Sequence, residues 1–269
     1  MDWADLFANR YNSLVPNVLW YGANRAMASH ARRSGGRGDE FDERAGGIKF
    51  RIDQLLWVGP EVRREAEWIR THRREWEYPT QLADTVLGKR PYYLPYVSFR
   101  DLGDRCDALG NMLAILLGMA SPAQTARILD YMYATGMDRP WPVKACWPPV
   151  MPGDKDWRDY YRLYNLNYPD QYHNGGSWPF LGGFYVASLV KAGRLRQAEE
   201  ELVRLARMNR GADSAEWEFN EWFHGASGRS MGHRRQSWSA GMFLYAADAV
   251  QHGRAAFFGA GDDWTAVQE

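Results

Sequence analysis

What most constrains this chain is a helical repeat of apolar residues that stops and restarts within a few positions. Leu109, Met112, Leu113, Leu116 and Leu117 stand at i, i+3, i+4, i+7 and i+8, the spacing that lines one side of a 3.6-residue helix. Ser121-Pro122-Ala123-Gln124 follows, an N-cap serine with proline at the first helical position and glutamine at the third. The pair predicts two antiparallel helices joined by a short turn. A second hairpin is expected from about residue 183 to Ala192, turning at Gly193 and continuing through Leu195, Ala198, Leu202 and Leu205, with residues 199–201 toward solvent. Further helices are expected over about 16–33, 39–56, 60–75 and 235–251, with an exposed turn at 34–38. Tyr92 to Phe99 is the best strand candidate, and its flanking prolines predict a short edge piece.

Long segments rich in Trp, Pro, Gly and Tyr separate these hairpins, notably Arg139 to Pro179 and Asp213 to Ser237. Loops of such length in a helical protein usually carry function. No linker or composition break divides the chain, so residues 1–269 read as one domain. Helix pairs whose connections carry aromatics and carboxylates predict an all-α fold, an α/α toroid with its site at one mouth and few short strands in the loops.

Composition narrows the partners. With 33 Lys and Arg against 33 Asp and Glu, there is no electrostatic reason to expect nucleic acid or an anionic membrane. No run approaches the roughly 20 apolar residues that span a bilayer. Two cysteines, Cys106 and Cys146, cannot build a disulfide framework, and the N-terminus lacks a secretory signal pattern, which reads as cytoplasmic. The six histidines show no metal-ligand spacing, and no nucleotide-binding or serine-hydrolase motif occurs. No cofactor and no metal are therefore expected. Aromatics make up 14% of the chain. Their flat apolar faces and polar edges suit sugar rings, although most belong to the core.

Four segments stand out: Asp2-Trp3-Ala4-Asp5, the run FRDLGDRCDALGN from Phe99 to Asn111, YHNGGSWP from Tyr172 to Pro179, and WEFNEW from Trp217 to Trp222 with Gln236-Ser237-Trp238-Ser239 after it. In this order they resemble the C-terminal half of the alkaline/neutral invertases, glycoside hydrolase family 100. That family belongs with the (α/α)6-barrel, or six-hairpin, glycosidases, which include trehalases and amylo-α-1,6-glucosidases. The ordered match runs over about residues 92–250, and YHNGGSWP is its most specific element.

The resemblance implies hydrolysis of an α-glucosidic bond, in sucrose or a small oligosaccharide, by two carboxyl groups flanking the bond. It places Glu221 as general base and Asp5 as general acid. A separation of roughly 6.5 to 9.5 Å between them would admit water and give inversion. Trp3, Arg100, Asp101, His173, Asn174, Gly175, Gly176, Ser177, Trp178, Trp222, Gln236 and Trp238 become substrate-binding candidates: His173 and Asn174 as donors to sugar hydroxyls, the two glycines for close backbone approach, Trp178 and Trp222 as stacking platforms.

Each assignment has a structural alternative. Asp2 or Asp5 could serve as an N-cap. Glu221 could belong to a solvated acidic loop with Glu216 and Glu218, although placement between Phe219 and Trp222 would bury it and raise its pKa. The two tryptophans could be core, and Arg100, Asp101, Asp104, Arg105 and Asp107 could form a structural ion-pair network. The chain shows fewer helices than the six pairs of a complete barrel. The toroid is then incomplete, with exposed apolar helix faces and a missing N-terminal half or a second copy as partner. Two other functions stay open: a sugar epimerase on the same barrel, using His173 or His233 as proton carrier, and a catalytically incomplete carbohydrate-binding fragment.

Overall fold

In the computed structural model, residues 3–7, 9, 11–163, 165–210 and 216–256 are described; Asp2 and Asp213 lie outside them. The first hairpin pairs α1 (Leu14–Arg33) with α2 (Asp39–Leu56), close to the bounds that periodicity predicts. The segment expected to be helical over 60–75 narrows to α3 (Ala66–His72) and a single turn, Arg74–Trp76. It is followed by α4 (Glu77–Leu82), which runs into a wider-pitched turn over Ala83–Leu87.

The second hairpin is α5 (Ala108–Leu116) and α6 (Pro122–Ala134). Its capping box is complete: the Gln124 amide N–H donates to the Ser121 hydroxyl, and the Ser121 N–H to the Gln124 side chain. Asp107 caps α5, accepting from the Gly110 N–H at 2.7 Å. A four-residue turn, α7 (Tyr160–Leu163), interrupts the long loop before the third hairpin, α8 (Pro179–Lys191) and α9 (Leu195–Arg210). The last described helix is α10 (Ser237–His252), closed by Gly253 in the left-handed conformation.

Helices α1, α5, α8 and α10 pack side by side in that order, while α2 covers α1 and α9 covers α8 and α10. The inner helices are the apolar ones; every residue of α5 is buried. The α8–α10 crossing depends on Gly183, where a Cβ would stand 2.5 Å from the Met242 carbonyl oxygen. The result is an arc of an α/α toroid. Its end helices show apolar side chains to solvent, Leu19, Trp20 and Met27 on α1, Trp238 and Leu244 on α10.

Short antiparallel pairs link the loops at one mouth of the arc: β1 (Asn12–Ser13) with β2 (Tyr96–Val97), β3 (Cys106–Asp107) with β4 (Cys146–Trp147), and β5 (Trp222–Phe223) with β6 (Ser230–Met231). The strand expected over Tyr92 to Phe99 is thus two residues long, with Pro95 at its head; Tyr92, Tyr93 and Leu94 fill the core instead.

A buried polar cluster lies between α9 and the turn after α6. Asp138 and Glu201 are both buried, and Arg139 Nη1 lies 2.7 Å from Asp138 Oδ2 and 3.4 Å from Glu201 Oε1. Arg204 also pairs with Glu201, whose Oε2 has no hydrogen-bond partner. The acidic run 199–201 predicts solvent for Glu201, and the structure corrects this. It lies on the buried side of α9 together with Ala198, Leu205 and Met208. Burial, opposed by Arg204 and Arg139 and reinforced by Asp138, pushes its carboxyl up to about 7.

Candidate active site

The mouth is built from the loops that enter the inner helices. YHNGGSWP forms the entry to α8, a tight turn in which the Asn174 N–H donates to the Gln171 carbonyl and the Gly176 N–H to that of Tyr172. Gly176 is required there, since a Cβ would fall 2.5 Å from the Tyr172 carbonyl oxygen. Ser177 and Phe223 exchange both backbone hydrogen bonds, at 2.8 and 2.7 Å, fastening this turn to β5.

Several residues expected to touch substrate are occupied in holding the turn. Asn174 is fully buried; its Oδ1 accepts from the Val150 N–H at 2.6 Å and its Nδ2 donates to the carbonyls of Val150 and Asn167. Those bonds use the groups that a sugar hydroxyl would need. Gly175 and Gly176 are buried, and what approaches them closely is protein: a Cβ on Gly225 would stand 2.0 Å from the Gly175 carbonyl oxygen. Ser177 is buried. Trp178 and Trp222 are also buried, the first donating from Nε1 to the Tyr172 carbonyl at 3.0 Å. They are walls of the site rather than open platforms.

What remains at the surface of this wall is a group of half-buried and exposed side chains. Trp3 packs edge-on against His173, Trp178 and Phe180, with centroids 4.7, 5.5 and 5.3 Å away. The Tyr160 hydroxyl donates to the Leu6 carbonyl at 2.7 Å. Together they lay the N-terminal segment across the α8 entry. Asp5, 66% exposed, thereby comes to 3.6 Å between its Oδ1 and Nδ1 of the buried His173. Burial pushes the His173 imidazole down to about 3, so it is uncharged near neutral pH.

Glu221 enters from the segment before β5. Its N–H donates to the His233 carbonyl at 2.8 Å, and its Oε2 accepts from the His233 N–H at 3.1 Å. It is half-buried, less enclosed than its aromatic neighbours in sequence suggest. Gly232, at φ +68°, leaves room for that carboxylate: a Cβ there would stand 2.5 Å from Glu221 Oε2. Tyr172 lies within electrostatic range of both carboxylates. Its phenol is raised by burial and then by the negative charges of Glu221 and of Asp5.

Gln236 precedes α10, its N–H donating to the Phe219 carbonyl at 2.9 Å and its side chain to the Arg234 carbonyl at 3.2 Å. Trp238 is exposed on the first turn of α10, and Arg100 is exposed. Asp101 is committed to a network. It accepts from the Tyr96 hydroxyl at 3.1 Å and pairs with Lys155 at 3.0 Å. Although burial raises its carboxyl, those contacts and the Leu102 N–H leave it below the usual range. Asp156 joins the network through Tyr96 at 2.8 Å and Arg105 at 2.7 Å. Of the five charged residues that the sequence groups together, Asp101 and Arg105 are joined through Lys155 and Asp156, whereas Asp104 pairs with Arg90 and Asp107 caps α5; a small pocket lined by Phe7, Asn9, Tyr96, Arg105, Asp107 and Asp156 borders the network.

Sequence reasoning does not single out Tyr172, Tyr96 or Asp156. Only Tyr172 carries a signal, its place at the head of YHNGGSWP. Among the described residues, no three His, Cys, Asp or Glu side chains are grouped to hold a metal ion, and no helix is long and apolar enough to cross a membrane.

The probable alkaline/neutral invertase D of Arabidopsis thaliana is 33% identical over 178 residues, 62% of this chain and 31% of that protein. Cytosolic invertase 1 of Oryza sativa subsp. japonica is 31% identical, over 62% of this chain and 30% of its own length. Other relatives are named as mitochondrial and chloroplastic forms. The chain thus spans about a third of the length of these relatives. In fold it matches the GH63 mannosylglycerate hydrolase from Thermus thermophilus, in complex with glucose, with a TM-score of 0.56 at 15% identity, covering 86% of this chain and 47% of that one. The profile described as alkaline and neutral invertase matches residues 77–252, more than half of the sequence, and the chain belongs to that family, glycoside hydrolase family 100.

Proposed function

We propose that this chain carries the two-carboxylate centre of an inverting glycoside hydrolase acting on an α-glucosidic bond of sucrose or a small oligosaccharide. The observation that carries the reading is that one turn receives both segments: Trp3 and Asp5 lie against His173, and Ser177 fastens the same turn to Phe223, two residues after Glu221. Asp5, in its protonated form, gives its proton to the glycosidic oxygen as the bond to the anomeric carbon breaks. Glu221 takes a proton from a water that attacks that carbon from the opposite face. The His233 N–H on Glu221 Oε2 fixes which oxygen faces the water. Trp3 and Tyr172, both half-buried, offer aromatic surface to the sugar, and Gln236 and Trp238 stand at the α10 side of the same mouth.

No cofactor takes part in this scheme. The epimerase reading is weakened by His173, which is buried and hard to protonate. Location in the cytoplasm is in keeping with Cys106 and Cys146, buried on paired strands and unlinked. The test is polarimetry or NMR of the purified chain with sucrose, trehalose, maltose and isomaltose, beside Glu221→Gln and Asp5→Asn. Release of an inverted sugar, lost in both variants, is expected. Turnover that survives Glu221→Gln would refute the assignment, while saturable sugar binding without product would favour a binding fragment.

A further inference from the structure

The His173 ring is held on every side. It stacks on Trp178 at 5.6 Å and 12°, meets the edge of Trp3 at 4.7 Å and leans on Tyr172 at 4.3 Å. Its Nδ1 is buried and has no hydrogen-bond partner. A buried polar atom left without a partner is costly and rare in a folded protein. The polar group facing it is Asp5 Oδ1 at 3.6 Å, just outside bonding distance, on a side chain otherwise open to solvent.

From this geometry we infer that His173 is a positioning residue for Asp5: its Nδ1–H binds Oδ1, so that the transferable proton resides on Oδ2, facing the glycosidic oxygen. The inference rests on the reading of Asp5 as general acid. The proton passes from Oδ2 to the leaving oxygen as the carbon–oxygen bond breaks, and the carboxylate left behind shares its new charge with Nδ1–H. The imidazole itself neither gains nor loses a proton. Around the pair, Trp3, Trp178 and Phe180 are uncharged, and Tyr172 and, beyond it, Glu221 are the titratable groups. The aromatic box therefore supplies direction rather than charge.

A substrate that needs no proton on its leaving group separates positioning from folding. For the wild type, His173→Phe and His173→Gln, turnover of the hydrolysed disaccharide is compared with that of α-glucosyl fluoride. The ratio of the two rates is expected to fall by about tenfold to a hundredfold in His173→Phe, the order of a misplaced general acid, and to recover in part in His173→Gln. Equal loss on both substrates would overturn the inference. Asp5→Asn retaining the full disaccharide rate would overturn the acid assignment itself.

Nitrogen-15 NMR of the histidine side chains adds a readout that needs no turnover. The His173 Nδ1 signal is expected to be that of an N–H and to move in Asp5→Asn while Nε2 stays; an Nδ1 signal indifferent to Asp5 refutes the contact.

Discussion

Replacing Glu201 by glutamine should make the protein more stable at pH 8 and leave it nearly unchanged at pH 4.5. Glu201 is almost wholly enclosed between α9 and the turn after α6, and burial outweighs its two arginine partners. The carboxyl moves from an ordinary 4.5 to about 7. The folded state therefore binds this proton more tightly than the unfolded chain does. Its stabilising contribution is complete below about pH 4.5 and is lost as the pH rises through about 7. At roughly 1.4 kcal/mol per pH unit, that loss amounts to about 3–4 kcal/mol. Glutamine mimics the protonated form at every pH, so the variant escapes the loss. Urea unfolding of both proteins between pH 4.5 and 8 measures the difference directly, because the other titrating groups cancel. The curves should diverge in the variant's favour from about pH 4.5 and run parallel above about pH 7. A variant less stable than wild type at pH 8 would mean that Arg139 and Arg204 outweigh burial, and the reasoning would be wrong.

Three further outcomes follow from the described contacts. Gly232→Ala puts a Cβ against Glu221 Oε2 at a positive φ; hydrolysis should fall at least tenfold, with a stability cost of about 1 kcal/mol or more, read from turnover and thermal melting side by side. Asn174→Ala strips the Val150 N–H and two carbonyls of a buried partner and should lower unfolding free energy by about 2–4 kcal/mol in a urea titration. Ser121→Ala removes the capping box of α6; about 1 kcal/mol should be lost, visible as a lower urea midpoint with an unchanged slope.

The helix pairs could be read from the sequence because their signals are local. Residues 39–56 and the Ser121 cap depend on spacing and on side chains within one turn. Two-residue strands carry no such signal: β3 and β4 pair because distant loops converge, and no alternation can be written in so few positions. Helix α4 is hidden by Pro79, which is tolerated because it falls in the helix's first turn. Glu201 is instructive in another way. It stands three residues after Ala198 and four before Leu205, so the periodicity already places it on the buried face, and its charge misleads. At the site, YHNGGSWP locates the right loop. Whether a polar side chain there serves the ligand or the turn depends on Val150 and Asn167, which lie elsewhere in the chain.

Because each inner helix packs chiefly on its neighbours along the arc, cooperativity should be graded rather than uniform. Helix α8 packs on α5, α9 and α10, whereas α1 packs chiefly on α2 and α5. The molecule then behaves as a short one-dimensional array, with local opening cheapest at its ends. Amide hydrogens in α5 and α8 should exchange through global unfolding, while those of α1 open first. Carbohydrate held between the N-terminal segment and the α8 entry would tighten the exchange-resistant centre and leave the rim of the arc free to breathe.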